Sequence, residues 1–152
     1  MENRLKNKNT NNPDVWSAIQ LLQKSIAAGG VDPKLRAMVH LRASQINGCS
    51  ACVHAGVAGG KRAGDTDERL HNVAAWREAP FYTDAERAAL ALAEAATRLQ
   101  DGAQGVTDAI WDEVNAHFTE EQIGALNLEI ALTNLFNRIN RTIKEPAGRT
   151  WG

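Results

Sequence analysis

Two cysteines, Cys49 and Cys52, are the residues whose type and spacing most directly suggest chemistry in this chain. They stand in a Cys-x-x-Cys pattern within SQINGCSACVHAGVAGGKRAG, Ser44 to Gly64. The Asn47-Gly48 pair ahead of them breaks a helix, because glycine tolerates backbone angles that end one. Ser50 to Ala63 is free of proline and rich in alanine, and Gly64 is a stop signal. The pattern predicts a new helix with both cysteines in its first turn. Residues three apart share a helix face, so the two sulfurs can meet. Unpaired N–H groups and the positive end of the helix dipole favour thiolate over thiol there. Two cysteines this close are not a structural disulfide framework; in a cytosolic protein such a pair is redox-active or metal-binding.

Zinc would require Cys49, Cys52 and two of His40, His54, His71 and His117. There is no second Cys-x-x-Cys, and no histidine pair has the usual short gap, so no metal is expected. Gly59-Gly60-Lys61 falls inside the predicted helix with no strand before it, so it is not a phosphate loop. Ser44 is not in a nucleophile-elbow setting. Arg138 and Arg141 on the last helix fit a solvated face better than an anion site. No nicotinamide or flavin motif is present, so no cofactor is expected.

The elements that must position the cysteines read as helices throughout. Asn12-Pro13-Asp14 supplies an N-cap and a first-turn proline, and Val15, Ile19, Leu22 and Ile26 follow at helical spacing up to Gly29-Gly30. Asp32-Pro33 repeats the start signal, and Leu35, Met38, Val39, Leu41 and Ile46 carry the next apolar stripe to Asn47-Gly48. After the cysteine helix, Asp65 or Thr66 caps a short helix through Leu70, Val73 and Ala74, with Trp76 and Pro80 at its exit. Thr83-x-x-Glu86 and Thr119-x-x-Gln122 are capping boxes. The first opens an alanine-leucine helix; the second opens the last and longest, to about Ile143, which Pro146 closes. Between them Thr107 starts a helix with Ile110, Trp111 and Val114. No segment alternates with period two, so the expected fold class is all-α.

The chain has 152 residues, 43% hydrophobic and 23% charged, enough for one ordinary domain with a core. Residues 1–12, polar and rich in Asn and Lys, are expected to form a mobile arm, and 13–152 a single helical domain. The net charge is −1 with mixed signs, which offers no electrostatic case for nucleic acid or an anionic membrane. No apolar run approaches the roughly 20 residues of a membrane span. The N-terminus has no apolar signal region, so the expected location is cytoplasmic. Many of the apolar residues are small alanines, so further burial by self-association is expected. Trp16, Trp76, Trp111 and Phe136 are equally candidates for a subunit interface or for the monomer core.

LRASQINGCSAC, AGDTDERLHNVAAWREAPFYTDAERAALALAEAAT and NLFNRIN together resemble the alkylhydroperoxidase D-like branch of the carboxymuconolactone decarboxylase family. The run from Leu41 to Cys49 with the later Trp76-Arg77-Glu78 makes this more specific than the cysteine pair alone. The resemblance spans roughly Leu35 to Asn140. It implies an all-helical fold of six or seven helices and a homo-oligomer, a trimer or hexamer. It also implies a cysteine pair cycling between dithiol and disulfide. Cys52 would attack a peroxide and Cys49 would resolve the sulfenate. The decarboxylase branch typically lacks the cysteine pair, so lactone decarboxylation is not expected.

The family's proton relay is a histidine four residues after the second cysteine and a glutamate twelve before the first. Here those positions are Gly56 and Ala37, and neither carries a proton. A thiol with pKa roughly 8.5 is only a few per cent ionised at neutral pH without help. Three residues are weighed as substitutes. His40 lies one turn after Ala37, so it can face the same neighbour and serve as base, against a packed or surface histidine. His54 sits about 200° round the helix from Cys52, on the wrong side unless a second subunit supplies a contact. Glu94, inside ALALAEAAT, fits a structural salt bridge, to Arg42 for example, better than a relay.

The expected function is thus a thiol-dependent peroxidase or disulfide oxidoreductase, weak for want of its relay, with Cys52, Cys49 and His40 as catalytic residues. Its partners would be a small peroxide or disulfide substrate and an external thiol or dithiol protein as reductant. The alternative is a non-catalytic helical oligomer, a scaffold or small-ligand binder with a vestigial or redox-sensing cysteine pair.

Overall fold

Local sequence signals set the helix starts in this structure. The computed structural model describes residues 2–5 and 12–148. Residues 1 and 6–11, the greater part of the expected arm, lie outside the described residues, as do 149–152. Among the described residues there are seven α-helices and no strand: α1 Pro13–Ala28, α2 Pro33–Asn47, α3 Ser50–Arg62, α4 Asp67–Asn72, α5 Asp84–Thr97, α6 Asp108–His117 and α7 Glu120–Ile143. The side chains of Asn12, Asp32, Thr66, Thr83, Thr107 and Thr119 each accept a first-turn backbone N–H, and Thr83–Glu86 and Thr119–Gln122 are complete capping boxes. The fourth helix is shorter than its apolar pattern predicts. It tightens into a single 3-10 turn at Val73–Ala75, which delivers Trp76 inward.

Helix α2 is the axis of the molecule, packed against α3, α5 and α7. Met38, Val39 and Leu41 are fully buried there, against a core that includes Leu90 and Leu92 of α5, Val114 of α6 and Leu126 of α7. Each such side chain contributes about 1.5–3 kcal/mol relative to exposure. A helix buried on several sides has little freedom to tilt, so whatever sits at its end is held firmly.

That end is the turn into α3. Gly48 adopts φ +63, the left-handed region open to glycine, and donates its N–H to Gln45 O at 3.2 Å while Cys49 N–H bonds Ser44 O at 3.1 Å. One residue therefore closes α2, and the next, Cys49, is the N-cap of α3. At the far end of the chain, α7 stops at Lys144, φ +58, and Glu145 N–H returns to Asn140 O at 2.9 Å. The described N-terminal residues lie against this stop: Arg4 N–H donates to Ile143 O at 2.8 Å and Asn3 Nδ2 to Glu145 Oε2 at 2.5 Å.

Trp76 is 6% exposed and belongs to the core, whereas Trp16 and Trp111 are 36% and 42% exposed; Phe136 is half-buried. Leu128 and Leu135 on α7 also reach solvent. No described helix is long and apolar enough to cross a membrane.

Candidate active site

Cys49 and Cys52 are joined as a disulfide, with Cα atoms 5.2 Å apart, across the first turn of α3. Cys49 does not lie in the first turn as the spacing predicts: it is the extended N-cap, φ −88 and ψ 97, and its side chain reaches the third helical residue, Cys52, as N-cap side chains do. Cys49 Sγ also accepts the N–H of Cys52 at 3.3 Å, as a capping side chain. A negative charge on Cys49 would therefore meet a first-turn amide and the positive end of a 13-residue helix. Both cysteines are buried, at 2% and 3% exposure. They are not remote from a cleft: a cavity of about 250 Å³ is lined by Gly48, Cys49, Ser50, Asn140, Arg141, Lys144 and Glu145. Cys49 lines this cavity, and Cys52 sits one bond behind it.

Helix α7 closes the other side with asparagines three residues apart. Asn47, the last residue of α2, donates through Nδ2 to Asn134 Oδ1 at 2.9 Å and Asn137 Oδ1 at 2.7 Å. Asn137 Nδ2 donates to Ser44 Oγ at 3.1 Å. The third, Asn140, donates from Nδ2 to Cys52 Sγ at 3.3 Å. Arg141, one residue on, caps the C-terminal carbonyl of α2 by donating to Asn47 O at 2.7 Å. Asparagine recurring every third residue on a helix marks one polar face, so NLFNRIN carried a physical signal. In the sequence that motif carries only the resemblance, and Asn140 is not among the candidate site residues it yields.

His40 does reach the cysteine helix. Its Nε2 lies 3.2 Å from the backbone carbonyl of Cys52, which can only accept, so Nε2 carries the proton. Nδ1, left as the acceptor, lies 3.1 Å from Thr133 Oγ1, whose single proton is shared between Nδ1 and Glu129 O at 2.7 Å. Burial lowers the His40 pKa, partly offset by the bond to Cys52. The carboxylate of Glu129, 4.0 Å from Nδ1 and from Arg36, has its pKa raised by burial against the pull of Arg36. Gly56 explains why the ring fits: a Cβ there would come within 3.0 Å of His40 Cδ2 and 3.1 Å of Leu41 Cα. The imidazole of α2 thus occupies the room that a side chain on α3 would need.

The other candidates separate from this site. His54 is exposed, on the side of α3 that helical geometry predicts. His71 is exposed, and His117 pairs with Glu113 at 3.2 Å. Glu94 is a structural centre: Arg42 donates to it at 2.7 Å, Arg77 at 2.6 Å, Arg98 at 2.9 Å and Trp76 Nε1 at 3.0 Å. Burial alone would raise its pKa, but the bonds from Arg77, Trp76 and Arg42 outweigh that and hold it at about 2. Among the described residues no three His, Cys, Asp or Glu side chains are grouped to hold a metal ion.

Known proteins share both the sequence and the shape. The model of the carboxymuconolactone decarboxylase family matches residues 13–95. The uncharacterized protein YdfG of Bacillus subtilis is 30% identical over 128 residues, covering 84% of this chain and 86% of its own length. A crystal structure of ATU0492 from Agrobacterium tumefaciens, a protein of unknown function offered as an antioxidant defence protein AhpD, superposes with TM-score 0.87 at 28% identity over 98% of this chain and all of the other. The debrominase Bmp8 superposes with TM-score 0.78 at 26% identity over 90% of this chain and 72% of its own. The all-helical AhpD-like fold expected from the sequence is therefore the fold observed.

Proposed function

Because the chain belongs to the carboxymuconolactone decarboxylase family and carries a bonded Cys49–Cys52 pair beside a cavity, we propose that it is a thiol-dependent peroxidase. The observation that carries this reading is the pair itself, at a helix N-terminus with Cys49 lining the cavity. Cys52, as thiolate, attacks the terminal oxygen of a hydroperoxide. The O–O bond breaks, the sulfur takes the terminal OH as a sulfenic acid, and the departing alkoxide or hydroxide takes up one proton from solvent to leave as alcohol or water. Cys49, as thiolate, then displaces hydroxide from that sulfur, forming the disulfide and water. An external thiol or dithiol protein returns two electrons.

His40 is the assigned proton-handling group. Its support is placement: the ring rests on the Cys52 carbonyl and above Gly56, where the family's relay histidine would be attached. The lone pair at Nδ1 faces Thr133 rather than sulfur, which is in keeping with weak rather than fast peroxide turnover. Self-association into a homo-oligomer in the cytoplasm is part of the same reading, and the exposed Trp16, Trp111, Leu128 and Leu135 are in keeping with it.

The near-complete burial of both sulfurs favours a second reading, a helical scaffold with a redox-sensing pair. One experiment decides between them. Steady-state reduction of hydrogen peroxide and cumene hydroperoxide, with dithiothreitol as reductant, is expected in the intact protein and reduced to background in Cys52→Ser. His40→Gln is expected to retain part of the rate. Turnover that survives Cys52→Ser unchanged would end the peroxidase reading. A bromopyrrole belongs among the substrates, because a variant of the debrominase Bmp8 has been crystallised in complex with 2,3,4-tribromopyrrole.

A further inference from the structure

We infer that Asn140 is the positioning residue of the redox pair: its carboxamide N–H holds the Cys52 sulfur as thiolate, which directs an incoming thiol to Cys49. This rests on the thiol-dependent reading above and adds a residue and a direction to it.

Three observations meet here. Asn140 Nδ2 donates to Cys52 Sγ at 3.3 Å, and Asn140 is itself 4% exposed. Its Oδ1 is buried with no hydrogen-bond partner among the described residues, although Asn134 and Asn137, on the same face of α7, have both ends of their carboxamides bonded. Cys49, not Cys52, lines the cavity, together with Asn140. An unfilled buried acceptor is costly, and an apolar side chain of the same shape would avoid the cost. The half of the amide that does have a partner is the half on sulfur. A disulfide sulfur gains little from that donor; a thiolate gains much more, because bonds to a charged acceptor are the stronger ones.

The direction follows. A thiolate of the reductant reaches Cys49 Sγ from the cavity. A bond forms between the two sulfurs, the Cys49–Cys52 bond breaks, and its electron pair leaves on Cys52, where Asn140 receives the charge. A leaving thiolate of lower pKa leaves faster. The second thiol of the reductant, deprotonated, then displaces Cys49. The reductant becomes a disulfide, and the pair has gained two electrons and takes up two protons.

The test reads the Cys52 thiol without requiring turnover. In a Cys49→Ser background, alkylation of Cys52 by iodoacetamide is followed by mass spectrometry from pH 5 to 10, with Asn140, Asn140→Leu and Asn140→Asp compared. Both substitutions remove the N–H donor; Leu keeps the bulk, and Asp keeps the shape if Leu does not fold. At pH 7 each is expected to slow alkylation about tenfold, one unit of thiol pKa, and to converge on the parent rate at the alkaline end. Profiles that overlay the parent, or that fall by one factor at every pH, overturn the inference, since the second pattern is changed access rather than changed ionisation. Loss of reversible disulfide formation in the unsubstituted protein would sink the peroxidase reading instead, and the alkylation profiles would still decide the role of Asn140.

Discussion

At Glu94, Arg42, Arg77, Arg98 and Trp76 converge on two carboxylate oxygens; at Cys52, one amide N–H meets one sulfur, and the amide oxygen behind it has no partner among the described residues. Both clusters adjoin α2, and both are buried. The first contains a charge that donors saturate, so that charge is fixed across the physiological range. It ties α2, the Trp76 turn and α5 into one unit. The second contains atoms whose charge and bonding can change, and the donors that touch its sulfurs are few and neutral. His40 is held with a lowered pKa, and the donors to sulfur are amides. A saturated cluster stabilises; an unsaturated one can exchange protons and electrons. The difference shows why a buried carboxylate in an alanine-rich helix is not a relay here, although its sequence setting permitted one.

The comparison can be broken most directly at Glu94. Glu94→Gln leaves the guanidinium of Arg42, 11% exposed, without its charge partner, while Arg77 and Arg98 can turn to water. The expected loss is about 3 kcal/mol, the lower end for removing one partner of a buried pair. It is read from the denaturant midpoint, and the alkylation rate of the cysteines in the folded protein should stay as it was. Equal damage to thiol reactivity would show that the two clusters are one.

Acid offers a gentler route to the same cluster. Glu94 titrates at about 2 in the folded chain and near 4.3 when unfolded, so its contribution is complete above about pH 4.3 and is lost as pH falls toward 2. That loss is at most about 3 kcal/mol. The slope of stability against pH in this window should shrink in Glu94→Gln; an unchanged slope would place the acid sensitivity elsewhere.

The smallest of the expected effects sharpens the other side. Gly56→His restores the family's relay position in sequence but not in space, since His40 and Leu41 already fill it. Overpacking of this kind costs about 1–3 kcal/mol. Adding His40→Ala to the same chain should recover part of that stability. If Gly56→His is as stable as the parent, the ring of His40 is more mobile than its bonds to Cys52 and Thr133 imply.

Much of this molecule was legible in its sequence. Six N-caps, two capping boxes and the glycine stop at Gly48 each depend on residues within a few positions of one another, so the chain marks them wherever it is read. The meeting of Cys49 and Cys52 belongs to the same class, because an N-cap side chain reaches the third residue of the helix it caps. The tertiary structure decided the rest. Asn140 lies 88 residues from the sulfur it bonds, His40 fills space above a glycine on another helix, and three arginines, from α2, the Trp76 turn and the C-cap of α5, select Glu94 as a structural charge. Those contacts depend on how α7 and α5 lie against α2, and the packing of a whole core sets that, not any one stretch of the chain.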